Sequence, residues 1–345
     1  MNPILVEAIR GGIVESAHRG AIAVVDADGA TVVALGDIER PIFPRSAVKV
    51  LQALPLVASG AADALGLDDE ALAIACASHN GEPEHVAVVA RTLGRANLDA
   101  EALECGAHWP YREPIQRQMA AAGVEPSALH NNCSGKHAGF LCVACRMAGD
   151  ADVRGYARGY VGAEHPVMRS VTAAMQAATG YDLARTVRGT DGCSIPTYAI
   201  PLRHLAHAFA RVGTGVGLTP EHAAAARRLR GAVAKHPFMV GGTGRFDTRV
   251  MERLGERVFC KVGAEGVFCA ALPERGLGVA IKVDDGNNAR AAEVAMAAVI
   301  EALVALDDGE AALMRSLSDV TLRNWNGIDV GALRASDALR QLGMS

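Results

Sequence analysis

The sequence predicts an α+β fold in which an antiparallel sheet, built from strands at both ends of the chain, is flanked by helices and carries a mostly helical central region. Three observations support this. Runs of β-branched residues cluster towards the two termini, helical patterning fills the middle, and 345 residues, 50% of them hydrophobic, are enough to bury one large core.

Near the start, Ala21 to Asp26 and Thr31 to Leu35 are strand-like runs joined by Ala27-Asp28-Gly29, the composition of a tight hairpin. The central region, about 44–255, holds Ser46 to Ala58, Pro83 to Arg95, Pro114 to Ala122, Ser134 to Met147, Pro166 to Thr179, Leu202 to Arg211 and Glu221 to Lys235. All carry helical patterning, several with Pro or Ser at the start. Arg257 to Val262, Gly266 to Ala271 and Gly278 to Val283 then form three short strands separated by glycine-bearing turns, which predicts an antiparallel meander. The sheet is therefore expected from about 1–36 and 256–285, followed by C-terminal helices. The first of these is the alanine-rich run Asn288 to Leu306, with Glu293 and Glu301 on one exposed face. No repeat, low-complexity tract or long linker interrupts the chain, so residues 1–345 read as a single domain.

The net charge of −4 comes from mixed signs without a long block, which leaves no electrostatic footprint for nucleic acid or an anionic membrane. Glu7 and Arg10 interrupt the first apolar stretch, so no secretory signal is expected, and Glu301 cuts the longest apolar helix short of a membrane span. A cytoplasmic protein with a small-molecule substrate is the expectation. Eight cysteines are scattered through the chain and are expected to be reduced thiols, a few of them available to a metal.

Three polar clusters stand far apart: Ser46-Ala47-Val48-Lys49, Ser78-His79-Asn80 and Lys261-Val262-Gly263. Their order resembles the S-x-x-K, S-x-N and K-T-G of serine β-lactamases and penicillin-binding proteins, and the arrangement of sheet and helices resembles that fold as well. At a spacing of three, Lys49 shares a helix face with Ser46 and can take its proton once burial lowers the lysine pKa. A helix cap beside a surface charge is the alternative. Ser78 and Lys261 form a second pair able to relay protons to a leaving amine, against the alternatives of a simple turn and an edge-strand lysine. By analogy with β-lactamases, the backbone N–H groups of Ser46 and Ala264 are the oxyanion-hole candidates.

The densest polar stretch is His130-Asn131-Asn132-Cys133-Ser134-Gly135-Lys136-His137. It is not a phosphate loop, because His130 occupies the first glycine position and His137 follows the lysine. Cys133, Lys136 and the Cys193 of Thr190-Asp191-Gly192-Cys193-Ser194 present two thiols and an amine to a zinc ion, with buried structural cysteines as the alternative. Cys142 and Cys145 read as core packing, His204 and His207 as a solvated helix face, and Gly241-Gly242-Thr243-Gly244 as a mobile or tightly turned loop.

The stretch Asn131 to Phe140, together with Ser78-His79-Asn80-Gly81-Glu82, Asp191-Gly192-Cys193-Ser194 and Met239 to Arg245, is similar to the Rhizobium etli-type, or class 3, L-asparaginases. That resemblance implies hydrolysis of L-asparagine on a serine β-lactamase-like fold, as a homodimer, with two serine–lysine pairs beside a zinc site. Carried onto this chain, Ser46 is the nucleophile with Lys49 as base, Ser78 and Lys261 form the second pair, and Cys133, Lys136 and Cys193 hold zinc that helps bind substrate. Val262 replaces the hydroxyl residue of K-T-G and Ser78 follows Ser46 closely, both of which disfavour β-lactams. An amino-acid substrate needs a cation for its carboxylate and an acceptor for its ammonium, for which Arg45 and Asp191 are candidates. His137 and Asn132 are further orienting candidates. A serine glutaminase, a β-lactam hydrolase, a zinc-hydroxide amidohydrolase and a non-enzymatic ligand-binding protein are the competing readings.

Overall fold

The computed structural model describes residues 1–149 and 151–343. These fall into two compact units, one formed by Met1–Ala47, Ile200–Thr214 and Cys260–Ser345, the other by Val48–Ala199 and Gly215–Phe259.

The first unit is an antiparallel sheet with helices on it. Its strands are β1 (Ile4–Arg10), β2 (Ile13–Asp26), β3 (Thr31–Leu35), β4 (Phe259–Val262), β5 (Val267–Leu272), β6 (Leu277–Val283), β7 (Asp319–Arg323) and β8 (Asp329–Ala335). Their order is β7-β8-β1-β2-β6-β5-β4, with β3 also paired to β2. Both chain ends therefore meet in one sheet, as the strand-rich termini predict. The 14-residue β2 pairs through its first half with β1 and through its second half with β6 and β3. Leu5, Ile22, Val24, Phe268 and Ile281 are fully buried, and each contributes about 1.5–3 kcal/mol through removal from water.

Helix Leu202–Thr214 packs on β6 and β2, and Gly278 is what lets it come close. A Cβ at that position would stand 1.9 Å from the Ala206 carbonyl oxygen and 2.3 Å from the Ala210 nitrogen. The same helix accounts for His207, whose ring packs over Gly29 and contacts the Ala27 carbonyl at 3.2 Å instead of facing solvent freely. Helix Asp308–Ser318 and the β7–β8 hairpin extend the sheet beyond the C-terminal strands expected from the sequence. Their alternation is obscured by Asp319, Arg323, Asp329 and Arg334, which pair across the exposed strands at 2.8 and 3.3 Å.

The second unit is mostly helical. Its principal helices are Lys49–Ala58, Asp69–Ala75, Pro83–Arg95, Ser134–Ala148, Pro166–Thr179, Pro220–Lys235 and Phe246–Leu254. Asp68 caps the second of these by accepting from Ala71, and the third begins on Pro83 with a Glu82–His85 capping box. Ser134–Ala148 is the central helix, packed against the first three. Gly135 at its start lies against the end of Asp69–Ala75, where an added Cβ would be 2.3 Å from the Ile74 carbonyl. This close approach brings Ala77-Ser78 and Asn132-Cys133 to the same place. Cys142 is buried in the helix interior, where desolvation pushes its thiol up to about 12, a packing role.

Candidate active site

Ser46 lies half-buried in a single 3₁₀ turn, Arg45–Val48, that runs directly into the helix beginning at Lys49. Arg45 enters this turn with φ +52°, a conformation an L side chain adopts only under strain of about 1–3 kcal/mol. Four described non-glycine residues have positive φ, and three of them, Arg45, Ser194 and Glu265, directly adjoin Ser46, Cys193 and Ala264. The strain sits where the sequence places its chemistry.

Within the first unit, the segment after β4 packs on the Ser46 turn. A Cβ on Gly263 would be 2.6 Å from the Pro44 carbonyl and 3.2 Å from the Ala47 nitrogen, so only glycine permits Lys261–Ala264 to run alongside. The Gly263 carbonyl accepts from Asn288 Nδ2 at 3.0 Å and its N–H donates to Val267 at 2.7 Å. Lys261 stands on the edge strand β4, yet it is 0% exposed and donates to the Val262 carbonyl at 2.7 Å. A lysine that blocks strand addition must face solvent, so the edge-strand explanation does not hold.

Within the second unit, Lys49 is 0% exposed. Its Nζ donates to the Ala77 carbonyl at 2.5 Å, to Ser78 Oγ at 2.9 Å and to the Asn132 carbonyl at 3.3 Å. A surface-charge role is excluded. Burial drives its pKa down, against the opposing pull of a hydrogen-bonded Cys133. Ser78 is held in place by its own N–H, which donates to Val240 at 2.9 Å. The sequence pairs Ser78 with Lys261; within the second unit its hydroxyl also accepts from Lys49.

The thiols converge beside this lysine. Lys136 Nζ lies 3.1 Å from Cys193 Sγ, and Cys133 and Cys193 share a hydrogen bond. That bond, aided by Lys49 and Lys136, holds Cys133 well below the usual thiol range and keeps the proton on Cys193. Burial opposes the charge on Lys136, but the two sulfurs and Asp191 raise it above the ordinary lysine value. Cys193 and Asp191 come from the tip of the hairpin formed by Arg188–Thr190 and Pro196–Tyr198. Gly192 donates to Asp191 Oδ1 at 2.8 Å.

His137 is fully buried, and burial pushes its pKa well below the ordinary imidazole value. Tyr160, whose hydroxyl accepts from the Glu104 N–H at 3.0 Å, shares a hydrogen bond with His137 Nδ1 at 2.6 Å. Asn132 is half-buried and donates through its side chain to the Tyr111 hydroxyl at 3.2 Å. Sequence reasoning missed the network around Glu82. This buried carboxylate accepts from the backbone and hydroxyl of Thr243, both at 2.8 Å, and from Arg112 at 2.9 Å. It turns Gly241–Gly244 into a fixed turn. Glu82 and Thr243 are 161 residues apart in the chain, and no spacing rule reaches that far; an acid two residues after Asn80 is the one visible signal.

Within the second unit a buried amine thus rests on a serine hydroxyl beside a thiol pair, groups suited to acyl-transfer chemistry. The chain belongs to the L-asparaginase II family, whose profile matches residues 6–335. No curated protein matches it. Among solved structures it is similar to Mglu in its tris and glutamate form, at 15% identity over 86% of this chain and 62% of that one, with a TM-score of 0.36. It is also similar to a mutant of simvastatin synthase from Aspergillus terreus, at 13% identity over 77% of this chain and 86% of that one, again with a TM-score of 0.36. The chain thus spans less than two thirds of the first of these.

Proposed function

We propose that the chain hydrolyses L-asparagine to L-aspartate and ammonia through an acyl-enzyme on Ser46. The observation that carries this reading, alongside the family match, is the hydrogen bond from buried Lys49 to Ser78. Ser46 Oγ adds to the side-chain amide carbon while neutral Lys49 takes its proton. The backbone N–H groups of Ser46 and Ala264 receive the oxyanion. As the C–N bond breaks, the Lys49 proton passes through the Ser78 hydroxyl to the leaving nitrogen, and ammonia departs. Water activated by Lys49 then opens the β-aspartyl ester, releasing aspartate and restoring Ser46. Lys261 serves as the second base for Ser78.

Cys133, Lys136 and Cys193 hold zinc in this reading. Among the described residues no group of three or more His, Cys, Asp and Glu side chains is placed to hold a metal, so the amine of Lys136 is needed to complete the set. The donors fit: both thiols are buried, hydrogen bonding holds Cys133 well below the usual thiol range, and a bound zinc would require the neutral amine of Lys136. Bound there, the ion supplies an electrostatic anchor for substrate. Asp191 accepts the substrate ammonium, His137 and Asn132 shape the pocket, and Arg45 is the sequence candidate for the carboxylate.

A cytoplasmic location, expected from the residues of the first stretch, and a homodimer, implied by the family resemblance, belong to the same reading. Among the described residues no helix is long and apolar enough to cross a membrane. The test compares ammonia release from L-asparagine and L-glutamine, and opening of a chromogenic β-lactam, by one preparation. Asparagine turnover that disappears in Ser46→Ala is expected; turnover of only glutamine or the β-lactam sinks the substrate assignment.

A further inference from the structure

Glu82 is fully engaged by hydrogen-bond donors, and this bears on a different side chain. Its charge is met by Arg112 at 2.9 Å and by Thr243, and Asn80 Nδ2 donates to Glu82 Oε1 and to the Thr243 carbonyl, both at 3.3 Å. These two donations fix which way the buried Asn80 amide points. Its Oδ1 is thereby presented to Arg245, whose Nη1 donates to it at 3.2 Å. Gly242, at φ +100°, allows the approach, since a Cβ there would be 2.6 Å from Glu82 Oε1 and 2.9 Å from Asn80 Nδ2.

Arg245 is half-buried, and among the described residues its side chain has no acidic partner and no other hydrogen-bond acceptor. A guanidinium carries five N–H donors in a planar fork suited to a carboxylate, and here one is used for orientation while the rest are unclaimed. The anchoring amide is two residues from Ser78, the hydroxyl held by Lys49. Tyr111 lies within electrostatic reach of Arg245, donates its N–H to the Asn80 carbonyl at 3.2 Å, and meets Asn132 through its hydroxyl. An oriented cation with no acidic partner among the described residues is therefore held on the amide two residues beyond Ser78.

We propose that Arg245, positioned by Asn80 and the Glu82 clamp, binds the α-carboxylate of the amino-acid substrate, in place of the Arg45 expected from sequence. This rests on the proposed asparagine hydrolysis. The carboxylate is the substrate's one anionic group, and an amide lacking it forfeits the contact.

The test measures kcat and KM for L-asparagine and for L-aspartic diamide, in which that carboxylate is capped, with wild-type, Arg245→Gln, Arg245→Lys and Arg45→Gln proteins of verified melting temperature. Charge-assisted hydrogen bonds of this kind are worth roughly 10- to 100-fold, so Arg245→Gln is expected to raise KM for asparagine by about that factor with kcat little changed. Arg245→Lys falls between, and the preference for asparagine over the diamide collapses. Should Arg245→Gln fail to fold, the Arg245→Lys values decide. Unchanged asparagine KM in the Arg245 variants, equal losses on both substrates, or a carboxylate-specific loss in Arg45→Gln alone overturns the inference while leaving the activity standing. A wild-type protein that releases no ammonia from asparagine overturns both.

Discussion

Lys49 holds Ser78, donating to its hydroxyl at 2.9 Å while a second N–H is fixed on the adjacent Ala77 carbonyl. One buried amine is thus tied by contact to Ser78 and by chain spacing to Ser46, three residues earlier. In the proposed mechanism this one lysine serves both hydroxyls as a proton shuttle. Its burial lowers the pKa, which brings the neutral, proton-accepting form into reach.

The pH profile follows from that direction. The neutral fraction of Lys49 rises with pH, so kcat/KM for asparagine is expected to climb along a limb whose midpoint lies below the ordinary lysine value of about 10.4. Lys49→Met should lower kcat/KM by roughly 10²- to 10⁴-fold and flatten the limb. A limb that persists in Lys49→Met assigns it to another group.

Removing the Ser78 hydroxyl should cost most when the leaving group is hardest to expel. Ser78→Ala is expected to lower kcat by roughly 10²-fold or more on asparagine, and by less on the β-methyl ester of aspartate, whose leaving oxygen needs less help from a proton donor. Equal losses on both substrates contradict a relay through Ser78.

The thiol cluster makes a claim about metal content. Cys133→Ser and Cys193→Ser should abolish zinc binding measured by atomic emission, and thorough chelation of the wild type should raise KM while kcat holds. Complete loss of turnover at saturating asparagine after chelation favours a zinc-bound hydroxide as nucleophile.

The fold has its own test at Gly278. Because an added methyl would collide with the backbone of helix Leu202–Thr214, Gly278→Ala should destabilise the protein by about 2 kcal/mol or more, lowering Tm by several degrees. An unchanged melting temperature contradicts this packing of helix on β6.

Much of this was legible because the signals are local. Pro83 and Pro166 start helices at the residues the sequence marks, and the runs before Val262, Leu272 and Val283 are strands that pair as a meander. The β7–β8 hairpin was not legible, since its charged residues break the alternation that marks a half-buried strand. In the second unit, the meeting of Lys49, Cys133, Lys136 and Cys193 was readable from motif and spacing. The contact between Lys49 and Ser78 was not, because it depends on Gly135 drawing two helices together. The Glu82–Thr243 clamp and the orientation of Arg245 likewise arise from tertiary contacts without a sequence period.

The central claim, covalent catalysis on Ser46, is tested most directly by acid-quenching the wild-type protein during asparagine turnover and sequencing its peptides by mass spectrometry. A β-aspartyl group on Ser46 is the predicted result. Continued ammonia release with Ser46 unmodified, or the acyl group on another residue, would contradict it.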